Sequence, residues 1–263
     1  MTQKPIRIWK DSIKAATLHL LLSVLVVGAL ALLIFKVWYP TPLATATGAV
    51  VIFAIVLMVD LVIGPLLTLV IYKKNKKSLI LDLTVIVIIQ MAALSYGVYS
   101  LSQARPVWLA FYNNRFEIVR LNDIEDSYLE NAAEEYTHAS LTGPEWVAAK
   151  PMGTFQKIED LKFGNKLGAK IAHQPALYYP IEQAYDEIKS RARELSKLAA
   201  ANDKIDVDRY ITANPNAVGW LPLWGQQQHM VVLIDKNGKP IDMVDLRPWT
   251  KEQMTTILTS DLL

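Results

Sequence analysis

Residues 58–67 read MVDLVIGPLL, and the aspartate in the middle of that stretch decides how the chain is read. Asp60 is flanked on each side by about a dozen mostly apolar residues, the composition of a helix that crosses a bilayer. An aspartate at the centre of such a helix costs about 2.5–3.5 kcal/mol on insertion scales, so something must offset it. The same stretch continues into Gly64 and Pro65. Proline has no N–H for the carbonyl of Leu61, which predicts a distorted helix, and Gly64 allows a close approach by another backbone.

Two further apolar runs flank this one. The expected spans are residues 15–38, 48–72 and 79–101, each near the ~20 residues that cross about 30 Å of hydrocarbon. Trp38, Tyr39, Tyr72, Tyr96 and Tyr99 fall near the ends, where amphipathic rings favour the headgroup layer. The small residues at 44–46, ATA, mimic a signal-peptidase site. The apolar run before them is longer than the ~7–15 residues of a signal peptide, so an uncleaved span is expected.

Orientation follows from the loops. Lys4, Arg7, Lys10 and Lys14 precede the first span, and Lys73, Lys74, Lys76 and Lys77 join the second to the third. The loop between the first two spans, YPTPLATAT, carries no charge. The positive-inside rule then predicts a cytoplasmic tail (residues 1–14), three membrane helices (15–102) and a domain on the far side (103–263). In a Gram-negative host that side is the periplasm, and the membrane is the inner one.

Composition agrees with this division. The chain is 52% hydrophobic, yet residues 103–263 carry 18 Lys and Arg against 22 Asp and Glu, a net of −4. That acidic balance, with no clustered basic patch, argues against nucleic acid as a partner. There is no cysteine, which excludes disulfides, thiolate metal sites and cysteine nucleophiles.

Polar residues recur at matching depths within the spans. Asp60 and Gln90 lie near the middle of the second and third spans, and His19 lies near the depth of Asp82, about a turn inside the first and third. In a three-helix bundle these four would satisfy one another facing inward. Three readings of Asp60 are open: glue between helices, a contact to a guest protein's membrane helix, or an ion pathway. The last is disfavoured by the absence of paired repeats.

After residue 103 the pattern becomes an α+β domain of at least four strands and two or three helices. PVWLAFY and RFEIVRL flank Asn113-Asn114, and HMVVLID and KPIDMVDL flank Asn237-Gly238, which predicts two β-hairpins. Helices are expected over 122–135, over 154–172 and, from Ile181, Tyr185, Ile188, Ala192 and Leu195, over 181–202. The acidic DKIDVD reads as solvated loop, and WLPLWG and RPW as core edges or a contact patch. Neither a nucleophile elbow, a P-loop nor a zinc-helix motif occurs, and His138, His173 and His229 match no metal spacing. The expectation is a protein that is not an enzyme and has no metal or other cofactor.

An ordered set of residues resembles a known family. Trp38-Tyr39-Pro40 is followed by Gly48, Asp60, Gly64-Pro65-Leu66-Leu67, Lys77, Asp82, Gln90, Tyr96-Gly97 and Arg105-Pro106-Val107. In this the chain resembles the type IV pilin accessory proteins of the TfpX/TfpZ type. The resemblance implies an inner-membrane, chaperone-like protein that binds a type IV pilin and promotes its assembly into the pilus. It implies that the partner is a single membrane helix with an acidic residue near one end and a globular head outside. Asp60, Gly64, Pro65 and Gln90, with His19 and Asp82, are then the candidate pilin-binding or intramembrane polar residues. Trp38, Tyr39, Pro40, Tyr96, Gly97, Arg105 and Pro106 are the candidate membrane–periplasm junction. Alternatives are a structural component of the assembly apparatus and a membrane-anchored ligand sensor.

Overall fold

The structure, a computed structural model, describes residues 5–129, 131–150 and 171–260. It divides into two compact units: residues 1–37 with 49–104, and residues 38–48 with 105–263.

The first unit is helical. Helix α1 (Pro5–Leu32) runs on through a π turn (Leu33–Trp38). The second span is α3 (Ala49–Leu57), a π turn (Met58–Ile63) and α4 (Gly64–Ile71), and the third is α5 (Leu79–Gln103). Helices Trp9–Trp38, Ala49–Ile71 and Leu79–Gln103 are each long and apolar enough to cross a membrane. Their most apolar windows are 11%, 28% and 17% buried, so the second span is the central one. It packs on α1 through α4 and on α5 through both of its halves. Phe35 meets Phe53 edge to face with ring centroids 4.9 Å apart, fixing the first span on the second. A side chain at Gly97 would overlap Val56, so the bare glycine lets the third span close on the second.

The π turn before Pro65 has a local cause. Without an N–H at position 65, the i→i+4 ladder is broken there, and the helix widens by one residue. The Gly64 N–H donates to the carbonyl of Val59, five residues back. Asp60 lies on this widened turn.

The second unit is built on one mixed sheet of eight strands. These are β1 (Pro106–Tyr112), β2 (Arg115–Arg120), β3 (Glu145–Ala149), β4 (Tyr178–Pro180), β5 (Arg193–Glu194), β6 (Ala217–Trp224), β7 (Met230–Asp235) and β8 (Pro240–Val244). The order is β4-β3-β1-β2-β6-β7-β8, with β5 also paired to β6. Strands β1 and β3, and β2 and β6, run parallel; the other pairs are antiparallel. Asn113, at φ 61°, turns β1 into β2, and Gly238, at φ 90°, turns β7 into β8.

The central strands are buried on both faces. Leu109, Phe111, Phe116 and Ile118 point to a core completed by Ile188, Leu221, Leu223 and Val232. Trp108, Ala110 and Val119 point the other way, among Tyr136, Val147 and Tyr178. This is the two-residue alternation of a pleated strand with cover on each side. Trp220 is buried in a third cluster with Leu198, Val207 and Leu233. Trp224 and Trp249 are half-buried, with Arg115 stacked 3.9 Å from the Trp224 ring centroid.

Two helix expectations and one loop expectation need correction. Residues 181–202 do not form one helix. A 3₁₀ turn (Ile181–Ala184) leads into α7 (Tyr185–Arg191), then β5, then a second 3₁₀ stretch (Leu195–Ala200). Ala192 turns extended, and Arg193 and Glu194 pair with Trp220 and Gly219 of β6. The Trp220 Nε1–H donates to the Glu194 carbonyl at 2.9 Å. Sheet pairing and a buried indole bond outweigh helical propensity there. Residues 122–135 hold only the short α6 (Asp126–Leu129) between 3₁₀ turns. Conversely, the segment read as loop is α8 (Lys204–Ala213), whose Val207 enters the third core cluster. Of the helix expected over 154–172, residues 154–170 lie outside the described residues. A terminal helix, α9, covers Lys251–Ser260.

Gly238 supports one prediction. Its positive φ disfavours any side chain, and a Cβ there would run into the backbone carbonyl of Tyr185. Gly238→Ala is expected to destabilise the second unit by more than about 1 kcal/mol, read as a lowered thermal midpoint of the full chain in detergent.

Candidate functional site

The membrane unit carries a polar junction at its centre. Asp60 is 5% exposed and Gln90 is 8% exposed, and the Gln90 Nε2–H donates to Asp60 Oδ1 at 3.4 Å, a long bond. Gly64 makes that meeting possible, because a Cβ at position 64 would occupy the space of the Gln90 amide. Pro65 is buried immediately beside it and sets the widened turn that carries Asp60. The second carboxylate oxygen of Asp60, Oδ2, is buried and has no hydrogen-bond partner among the described residues. A buried polar atom left unsatisfied costs about 1–3 kcal/mol, more when charged.

His19 and Asp82 do not meet. His19 Nδ1 lies 2.6 Å from Thr68 Oγ1 on the second span, one hydrogen bond whose direction depends on the histidine tautomer. Asp82 pairs instead with Lys76, at 2.5 Å, and with Ser78, whose hydroxyl donates at 3.2 Å. Equal depth was a sound guide to Asp60 and Gln90. It failed for Asp82 because a lysine one turn before the helix was nearer. At the same end, the Ser12 hydroxyl donates to the Tyr72 carbonyl at 2.8 Å, tying the first span to the second.

Spans one and three stand apart along their length, and three hollows lie between them. The first, about 530 Å³, is lined by Lys14, Leu18, His19, Leu22, Thr68 and Leu83 among others. The second, about 210 Å³, is lined by His19, Ser23, Val26, Asp60, Gln90 and Met91 among others. The third, about 670 Å³, is lined by Leu25, Ala29, Leu30, Leu94, Val98 and Tyr99 among others. His19, Leu22 and Val87 line both the first and second, and Val26 and Leu94 line both the second and third. The hollows therefore form one furrow, apolar on its walls, with the Asp60–Gln90 pair at mid-length.

The junction residues belong largely to the second unit. The segment Trp38–Gly48 is part of it, and α2 (Leu43–Thr47) places Leu43 and Ala46, both 0% exposed, in the core under β1, β2 and β6. The Gln227 and Gln228 N–H groups donate to the Ala46 carbonyl at 2.9 and 3.2 Å. The Leu43 N–H donates to the Pro40 carbonyl at 2.8 Å. The sequence shows only an uncharged loop here; the alternation of small apolar and threonine residues was the available sign of burial. Tyr39 is buried, and that burial holds its phenol well above the usual range, with Arg120 and Arg105 drawing it back down. Arg105 is buried too, which lowers its pKa, and Pro106 opens β1. Gly97 and the exposed Tyr96 lie on α5 of the first unit.

Arg120 is held by Asp123 through Nη2–H to Oδ1 at 2.7 Å and Nε–H to Oδ2 at 3.0 Å. Burial raises the Asp123 carboxyl, but these bonds lower it further, leaving it below its ordinary value. The stabilisation is present above the ordinary carboxylate pKa and is lost as pH falls through the lowered one. Asp123→Asn is expected to remove that acid limb and about 1–3 kcal/mol of stability near neutrality, measured as the unfolding midpoint against pH.

Three helices long and apolar enough to cross a membrane, with a polar-floored furrow between them, joined to an α+β domain, define a membrane protein. Comparison with known proteins supplies the family. A family model described as "Fimbrial assembly protein FimB" matches residues 7–48. The "Fimbrial assembly protein, serogroup I" of Dichelobacter nodosus is 31% identical over 237 residues, covering 85% of this chain and 91% of the relative. The serogroup E1 protein of the same organism matches equally far, and the serogroups C1 and C2 protein is 38% identical over 113 residues, 42% of this chain and 86% of the relative. The chain belongs to this fimbrial assembly family, and it is a type IV pilus accessory protein. No solved structure matches it.

Proposed function

We propose that the chain is a chaperone-like, non-enzymatic accessory protein of the bacterial inner membrane that binds a type IV pilin subunit, stabilises it and promotes its assembly. The N-terminus is cytoplasmic and the sheet domain periplasmic, following the lysine-rich ends. The observation that carries the reading is the unpartnered Asp60 oxygen beside a hollow in the membrane unit of a fimbrial assembly protein. A group that the bundle alone leaves unsatisfied is suited to a guest. Asp60, Gly64, Pro65 and Gln90 would hold the pilin's membrane helix, and the periplasmic domain would contact its head. If the pilin carries a carboxyl at that depth, the pair shares one proton, since two adjacent carboxylates cannot both ionise.

The test is the lifetime of pilin in membranes after protein synthesis is stopped. Deleting the gene is expected to shorten it several-fold, with restoration by the wild-type gene and not by an Asp60→Ala version expressed to the same level. An unchanged pilin lifetime alongside lost pili would favour the alternative, a component that binds the assembly apparatus and not free pilin.

A further inference from the structure

We propose that the guest lies along the whole furrow between α1 and α5, entering sideways through the bilayer, as a single membrane helix that presents a hydrogen-bond donor to Asp60 Oδ2. This rests on the pilin reading and specifies where and how the pilin helix is held.

The furrow's length argues for a helix. Its α1 wall runs from Asp11 to Leu30, about 30 Å at ~1.5 Å per residue, the thickness of the hydrocarbon layer. An acyl chain fills one leaflet, whereas one continuous occupant of both leaflets is a transmembrane segment. The walls are mainly apolar: Leu18, Leu22, Leu25, Val26 and Leu30 on one side face Leu83, Val87, Leu94 and Val98 on the other. Span two floors the first two hollows, supplying Thr68 and Asp60. Asp60 is nine-tenths buried, lines the middle hollow and, among the described residues, has no partner on Oδ2. His19 already engages Thr68 and Gln90 already engages Oδ1, so both neighbours on the furrow are occupied. A donor on the guest completes the set for an ionised Asp60, and a guest carboxyl does so by sharing one proton with it. Polarity is also graded. Asp11, Lys14, His19 and Thr68 line the first hollow, whereas the third is apolar apart from Ser95 and the Tyr99 ring. A guest with its polar positions toward the Lys14 end and an unbroken apolar stretch toward the Tyr99 end fits that gradient.

The experiment places a photoreactive amino acid in the full chain, in cells making the pilin, at Val26 and Met91 in the furrow and at Val51 and Ile55. The last two are exposed on the second span and do not line the furrow. Pilin adducts from Val26 and Met91, at least tenfold above those from Val51 and Ile55, are the expected result. Ala29→Trp, which fills the furrow from an exposed position, is expected to cut the Val26 adduct at least tenfold at unchanged protein level. Adducts from Val26 and Met91 with lipid alone, or with a second copy of this chain, would overturn the proposal. So would pilin adducts from Val51 and Ile55 in their place. Pilin that co-purifies without furrow adducts defeats the furrow and leaves pilin binding standing; pilin that never co-purifies defeats the pilin reading itself.

Discussion

Gly64→Leu is expected to abolish pilus assembly while the protein still accumulates in the membrane. The argument is steric. Any Cβ at position 64 takes the space of the Gln90 amide, and a leucine adds a branched side chain behind it. Gln90 then leaves Asp60, so Oδ1 loses its partner as well and neither carboxylate oxygen is satisfied by the bundle, and spans two and three separate. Overpacking costs about 1–3 kcal/mol, and the orphaned carboxylate adds about the same again. Insertion is not impaired, because leucine raises the apolar content of the span. The measurement is pili per cell together with the amount of full-length protein in the membrane. Gly64→Ala, with the smallest side chain, should fall between wild type and leucine.

Leu43→Ala is expected to destabilise the sheet unit by about 2–5 kcal/mol, although Leu43 lies between the first two membrane spans and far from that domain in sequence. Leu43 is fully buried in the core formed by β1, β2 and β6, alongside Ala46. Removing its side chain leaves a cavity that close-packed neighbours fill only partly. Thermal unfolding of the full chain in detergent, followed by tryptophan fluorescence from Trp108 and Trp220, reports on this unit. A change below about 0.5 kcal/mol would mean that Trp38–Gly48 lies on the domain and not in it. The same packing implies that a fragment starting at Arg105 lacks part of its own core.

The membrane half was the more legible part of the chain, for a physical reason. Uninterrupted apolar runs of bilayer length have few alternative structures, so the three spans follow from composition alone. The polar residues inside them were equally visible, because each one violates that composition. Which of them meet was less visible: Asp60 and Gln90 come together, while Asp82 turns to Lys76 and His19 to Thr68. Depth along a helix can be counted, but rotation about its axis is set by packing. In the sheet unit, turn residues such as Asn113 and Gly238 announce themselves because their backbone conformations suit few others. The segment 181–202 misled because its periodicity is helical while its backbone is needed by β6. The burial of Leu43 and Ala46 was hidden by position, since the alternation of small apolar and threonine residues is a weak mark of core in a loop between two spans.

Purification of the tagged chain from membranes in mild detergent, comparing wild type with Asp60→Ala, tests most directly whether the bundle's unsatisfied carboxylate holds a guest. Pilin is expected as the main co-purifying protein with wild type, reduced at least tenfold with Asp60→Ala at equal recovery of the tagged chain. Equal pilin in both samples, or none in either, would contradict a site built around Asp60.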